Sequence, residues 1–356
     1  MTRARVWLRA ALFLGIALGL FAGVGGDAMW RESEVRCVKV VEEMVRSGDW
    51  LVPRLDGEPR LQKPPLFYWA GSLSAELAGG PSLLTLRSVS GVAALLLAAA
   101  VWRVGRGIAG ELTGDACAFA LAACALFFIR GRVGDAEMLL ALLVFLSLAV
   151  FEELWHTRDQ RLLPALSALV GLAFLAKATA ALLSIFAPVL VWLALQRSLR
   201  LALRPAVLAW SLLGIAIGLS WYLVILWRVP EAGEALRAFL VAPLGKQAGT
   251  NATHFRGLFY YVARFPAQLL PAGLLLPWLA WEAWRGRFWR DEPRVRFWAV
   301  AFAAQFVGWS LVPSKQIHYV LPAVPVYALV AGRTFEGRIF RAREMQSERE
   351  SAPASG

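Results

Sequence analysis

Cysteine and histidine are scarce in this chain, with three of each among 356 residues. Cys37, Cys117 and Cys124 have the spacing of neither a metal site nor a disulfide framework, and the last two lie in an apolar run. No internal repeat is visible, and the polar loops are too short to fold as a soluble enzyme domain. The net charge of +12 is not gathered in one basic patch. It is scattered in short clusters between apolar stretches, which argues against nucleic acid as a partner and fits the positive-inside bias of membrane proteins. What is abundant is hydrophobic: 58% of the residues, with 16 Trp and a mean hydropathy of +0.56. Soluble domains hold about half apolar residues, so the composition specifies an all-α, polytopic membrane protein.

The first segment, "MTRARVWLRAALFLGIALGLFAGVGG", has the basic start of a signal peptide but no clean small-residue cleavage site, and is read as a retained first helix. Further apolar stretches of spanning length centre on 86–102, 115–129, 138–154, 162–176, 179–196, 206–227, 266–284, 297–312 and 319–333, for about ten spans in a core over 1–335. Alternate connections carry arginine clusters, such as Arg103/Arg106, Arg158/Arg161 and Arg197/Arg200/Arg204, and read as cytoplasmic. The opposite face receives residues 27–80, the 130–137 turn, Lys177, the 228–265 loop and 313–318. The charged tail 336–356 is expected to lack structure.

Each outer segment contributes a polar residue that is costly beside lipid, and such residues are functional candidates. Residues 33–46, "SEVRCVKVVEEMVR", place Cys37, Val40, Val41 and Met44 on one side and charges on the other, the pattern of an amphipathic helix lying in the interface. Glu32 and Glu34 either favour the positive start of that helix or act as a general base. Pro53, Pro59, Pro64 and Pro65 then stiffen a loop holding Arg54 and Lys63. These cations suit either phosphate recognition or plain attraction to lipid headgroups. "IRGRVGDAEMLL" sets Arg130, Arg132, Asp135 and Glu137 before a span, where the acids either cap a helix or do chemistry. Lys177 interrupts more than thirty apolar residues and marks a tight turn or a ligand. His254, Lys315 and His318 complete the outer set; His156 lies on the inner side.

The stretch "SEVRCVKVVEEMVRSGDWLVPRLDGEPRLQKPPLFYW" makes this pattern specific. It resembles the first outer loop of the membrane glycosyltransferases related to protein O-mannosyltransferases and lipid A aminoarabinose transferases (glycosyltransferase family 39-like). Glu43-Met44, Ser47-Gly48-Asp49-Trp50, Val52-Pro53, Gly57, Lys63-Pro64-Pro65 and Tyr68-Trp69 match without a gap. "RVGDAEMLL", Lys177, "THFRGLFYY" and "SKQIHYVLP" extend the likeness along nearly the whole chain.

The resemblance implies a GT-C type multispanning helical bundle with amphipathic juxtamembrane helices in the 27–80 loop. It implies an enzyme of the inner (plasma) membrane that uses a polyprenyl-phosphate-linked sugar donor and a hydroxyl- or phosphate-bearing lipid, glycan or protein acceptor on the outer face. Glu34, Glu32, Asp135 and Glu137 become candidates to orient or deprotonate the acceptor. Arg36, Arg54, Lys63, Arg132, Lys177, His254, Lys315 and His318 become candidates to bind phosphate or sugar. Two departures stand out: the family's first-loop aspartate falls on Ser33, and the glutamate before Lys-Pro-Pro is Gln62. No metal ligand set is assigned, and the neutral Gln62 weakens a possible divalent-metal site. A catalytically impaired relative that binds lipid-phosphate or assists another transferase, and a lipid-linked sugar transporter, are the alternative readings.

Overall fold

The computed structural model describes residues 3–26, 32–229, 232–233, 256–285 and 292–351, with side chains as far as residue 337. The expected membrane architecture is present. Helix α1 (Arg3–Phe21) is followed by α2 (Glu32–Ser47), a two-stranded hairpin β1 (Arg54–Leu55) and β2 (Glu58–Pro59), and α3 (Leu66–Leu77). Then come α4 (Leu83–Ala109), α5 (Glu111–Ala122), α6 (Ala125–Gly131), α7 (Ala136–Thr157), α8 (Leu163–Leu195) and α9 (Pro205–Arg228). The chain closes with α10 (Tyr260–Gln268), α11 (Leu276–Trp284), α12 (Pro293–Leu311) and α13 (Ala323–Ser351). By length and apolarity, α1, α4, α7, α8 with its preceding turn, and α9 can each cross a membrane.

Helix α8 is two passes. At Lys177 the backbone leaves helical geometry (φ −164°, ψ 85°). Lys177 meets Glu137 at the start of α7, yet the Trp155 and Trp192 rings, 6.0 Å apart, meet near the other end of α7. Leu163 and Leu193 also line one cavity there, whereas the ends of a straight helix of 33 residues would lie about 50 Å apart. The arms 163–176 and 178–195 are therefore antiparallel, with Lys177 at the bend, as the sequence suggested.

Two expected spans are broken. The 115–129 stretch stops at Ala122 and resumes at Ala125; the 266–284 stretch stops at Gln268 and resumes with a short turn over 272–275. The breaks lie side by side. Ala125 N–H donates to the Leu270 carbonyl (3.0 Å) and Ala272 N–H to the Ala123 carbonyl (3.0 Å). Backbone groups freed inside a lipid-embedded bundle must find partners in protein, and here each break serves the other. Among the described residues the passes are thus α1, α4, α5 with α6, α7, the two arms of α8, α9, α10 with α11, α12 and α13. In place of the expected unstructured tail from 336, α13 continues to Ser351; its Arg, Glu, Met and Ala are good helix formers.

The passes give the molecule two unlike ends. One carries Arg9 on Asp115 (2.6 Å), Arg294 on Glu153 (3.0 Å) and the Arg333–Glu292 pair. The other carries the first loop, the start of α7, Lys177 and residues 315–320.

Candidate active site

The first loop is a built platform. Helix α2 buries Cys37, Val38, Val40, Val41 and Met44 against Phe67, Tyr68 and Leu86. Gly48, at φ 71°, ends the helix in the left-handed region that favours glycine. Asp49 then accepts from the Leu51 and Val52 amides (3.1 and 3.2 Å). Asp56 and Gly57 take positive φ (54° and 85°) and close the hairpin as an Asp-Gly turn. Glu43 accepts from both their amides, at 2.7 and 3.2 Å. The indoles of Trp69 and Trp221 donate to the carbonyls of Trp50 (2.6 Å) and Leu51 (2.9 Å), tying the loop to α3 and α9. Most of the motif that carried the family likeness therefore holds Lys63 in place. Lys63 is half-buried. Burial opposes its charge, but Cys37, Tyr68, Glu137 and Asp135 face it and together raise its pKa above the ordinary lysine value.

Beneath this platform the acids and cations of four segments converge. Asp135 caps α7, accepting from the Glu137 amide (3.1 Å). Its other carboxylate oxygen pairs with Arg130 and accepts from the Ser33 hydroxyl (3.4 Å). Asp135 is 2% exposed and Arg130 1%. Burial pushes the Asp135 carboxyl up, against the pull of Arg130. Glu137 accepts from Lys177 Nζ at 2.5 Å, and His318 Nε2 lies 3.5 Å from the same oxygen. Tyr319 closes the group, its ring 4.7 Å from Lys177 Nζ.

Other expected site residues are placed elsewhere. Glu34 is fully buried. Its two oxygens accept from Arg87 Nε (2.8 Å) and Nη2 (2.9 Å), and one also from the Gly134 amide (2.9 Å). Arg87 further donates to the carbonyls of Val24 and Gly26. Glu34 thus joins α2, α4 and the turn before α7. Glu32 and Arg36 form an exposed pair one helical turn apart (2.6 Å). Arg54 donates to the Gly57 carbonyl within the hairpin (3.2 Å). Arg132 is spent on the carbonyls of Gly19 and Ala22, at the end of α1 (2.7 Å each). Lys315 is buried, donating to the Arg256 carbonyl (3.0 Å), and burial lowers its pKa. His254 lies outside the described residues.

Sequence reasoning passed over Arg87, Arg60 and Tyr319. Arg87 had a signal, an arginine just inside an apolar span. Arg60, on Tyr68 OH at 3.3 Å, sits in the conspicuous loop but outside the matched motif. Among the described residues no three His, Cys, Asp or Glu side chains come together to hold an ion. Glu34, Asp135 and Glu137 are paired with Arg87, Arg130 and Lys177 respectively.

Comparison with known proteins bears on this geometry. The model of the family described as dolichyl-phosphate-mannose-protein mannosyltransferase matches residues 62–227. An undecaprenyl phosphate-alpha-4-amino-4-deoxy-L-arabinose arabinosyl transferase of Sodalis glossinidius is 28% identical, over 90% of this chain and 58% of that relative. One from Pseudomonas paraeruginosa is 29% identical, over 96% of this chain and 62% of the relative. The chain is thus similar to these membrane glycosyltransferases over most of its length. The crystal structure of ArnT from Cupriavidus metallidurans bound to undecaprenyl phosphate superposes with a TM-score of 0.81 at 22% identity, over 94% of this chain and 61% of that one. The archaeal oligosaccharyltransferase AglB from Archaeoglobus fulgidus has the same general fold (TM-score 0.56, 12% identity, 100% of this chain and 53% of that one). The GT-C type bundle expected from the first loop is the observed fold. The chain spans about three fifths of the length of the curated relatives it matches.

Proposed function

We propose that the protein transfers a sugar from a polyprenyl-phosphate-linked donor to an acceptor at the Glu137 end of the bundle, on the outer face of the inner membrane. One observation carries this reading: Lys177 pairs with Glu137, and Lys63, 114 positions away in sequence, is held near enough to interact with the same carboxylate. The acceptor oxygen attacks the anomeric carbon, the bond from that carbon to the donor phosphate breaks, and the polyprenyl phosphate leaves with the added negative charge. Lysines fixed at that oxygen stabilise the charge as it develops. The arginine clusters at the far end support the orientation, since such short loops stay cytoplasmic.

The carboxylates also bear on the acceptor. Glu34, Asp135 and Glu137 are each held by a cation, and Ser33 has no carboxylate to offer. A hydroxyl acceptor needs a base; a phosphate acceptor is already ionised near neutral pH and needs none. The geometry therefore favours a phosphate-bearing acceptor. Replacing Lys63 with Ala should lower transfer from a polyprenyl-phospho-sugar at least about 100-fold while leaving the thermal unfolding midpoint unchanged. Retained turnover would overturn the phosphate role. Ser33 and Gln62 favour one second reading, a relative that binds the carrier without turnover. Saturable binding of several lipid-linked sugars with no product from any would decide for it.

A further inference from the structure

At the end opposite Lys177, the finish of α7, both ends of α8 and the start of α9 line a half-open cavity of about 490 Å³. That volume is within the range of small-ligand pockets, about 300–1,000 Å³. Its walls are apolar, among them Phe151, Val170, Ile185 and Trp210. Its rim carries Arg158 and Arg204, and no carboxylate is among the described residues that line it. The Arg158 guanidinium stands over the Trp155 ring, 4.2 Å from its centroid, which holds it at the mouth. Deeper in, Ser167 is 4% exposed and its hydroxyl has no hydrogen-bond partner among the described residues. An apolar shaft with two cations at its mouth and an unused donor within matches one amphiphile in each part.

We infer that this cavity binds an anionic phospholipid of the arginine-side leaflet. The acyl chain fills the shaft, the phosphate sits between Arg158 and Arg204, and the Ser167 hydroxyl donates to an ester carbonyl. The site is separate from the one proposed for transfer, because the 22 residues of α7 place about 33 Å between its two ends. The inference does not depend on the transfer reading.

The test is native mass spectrometry of the delipidated full chain in neutral detergent, titrated with phosphatidylglycerol or phosphatidylcholine. One phosphatidylglycerol should be retained per chain in preference to phosphatidylcholine. The Arg158→Gln/Arg204→Gln variant should weaken that retention about tenfold, the worth of one charged hydrogen bond. Leu166→Trp, which fills the shaft, should weaken retention of both lipids without touching the charges. Should the double variant fail to fold, Arg204→Gln alone, at the exposed start of α9, carries the charge comparison. Equal retention of the two lipids, retention indifferent to both kinds of variant, or occupation by undecaprenyl phosphate in place of phosphatidylglycerol would each overturn the assignment.

Discussion

Glu34 and Arg87 show how far a side chain's work can lie from its apparent role. A glutamate beside a membrane rim invites assignment as a base, yet this one spends both oxygens on a buried guanidinium and a backbone amide. Breaking one partner of a buried pair leaves an uncompensated charge, at a cost of about 3–5 kcal/mol. Glu34→Gln is therefore expected to lower the thermal unfolding midpoint in detergent sharply, and Arg87→Met likewise. A base would behave otherwise, with activity lost and stability kept. Lys177→Ala makes the opposite case. It should remove transfer with a smaller loss of stability, because Glu137 keeps His318 within 3.5 Å. The thiols make a third prediction. Cys37, Cys117 and Cys124 are buried, and burial pushes the Cys37 thiol up to about 11. Since the thiolate is the reactive form, the folded protein should resist maleimide at neutral pH and react with it only on unfolding.

At the scale of elements, the passes pack where small residues let backbones approach. A Cβ added at Gly332 of α13 would lie 2.6 Å from the backbone of Cys117 in α5. No side-chain rotation relieves a clash with backbone, so Gly332→Val should cost at least about 1–3 kcal/mol. Gly15, on the open side of α1, has nothing within 4 Å of such an atom among the described residues, and Gly15→Ala is the control that should leave the unfolding midpoint in place. The paired breaks in α5–α6 and α10–α11 belong to this scale too. Hydropathy marked both stretches as simple spans because both are apolar enough. What interrupts them is a backbone exchange between strands of sequence almost 150 positions apart, which no local window contains.

For the whole molecule, the two ends should face opposite sides of the membrane. Glu32 is exposed beside the first loop and Arg200 is exposed beyond the second arm of α8. With the native thiols buried, Glu32→Cys should react with an impermeant maleimide added outside intact cells. Arg200→Cys should react only after the membrane is permeabilised. Labelling of both from one side would refute the proposed orientation and with it the placing of transfer on the outer face.

The sequence alone determined what depends on local pattern. The apolar stretches, the arginine alternation, the amphipathic α2 and the bend at Lys177 all follow from composition within one or two turns, because lipid imposes its demand on every segment separately. The loop motif pointed to the family that the chain resembles and set Lys63 in an ordered segment for the same reason. Which carboxylate each cation meets was decided only in three dimensions. Glu34 and Arg87 are 53 positions apart, Glu137 and Lys177 are 40, and Arg132 was drawn to the end of α1 across 110. A buried charge takes the partner that packing brings nearest, and that neighbour is a property of how the helices lie together.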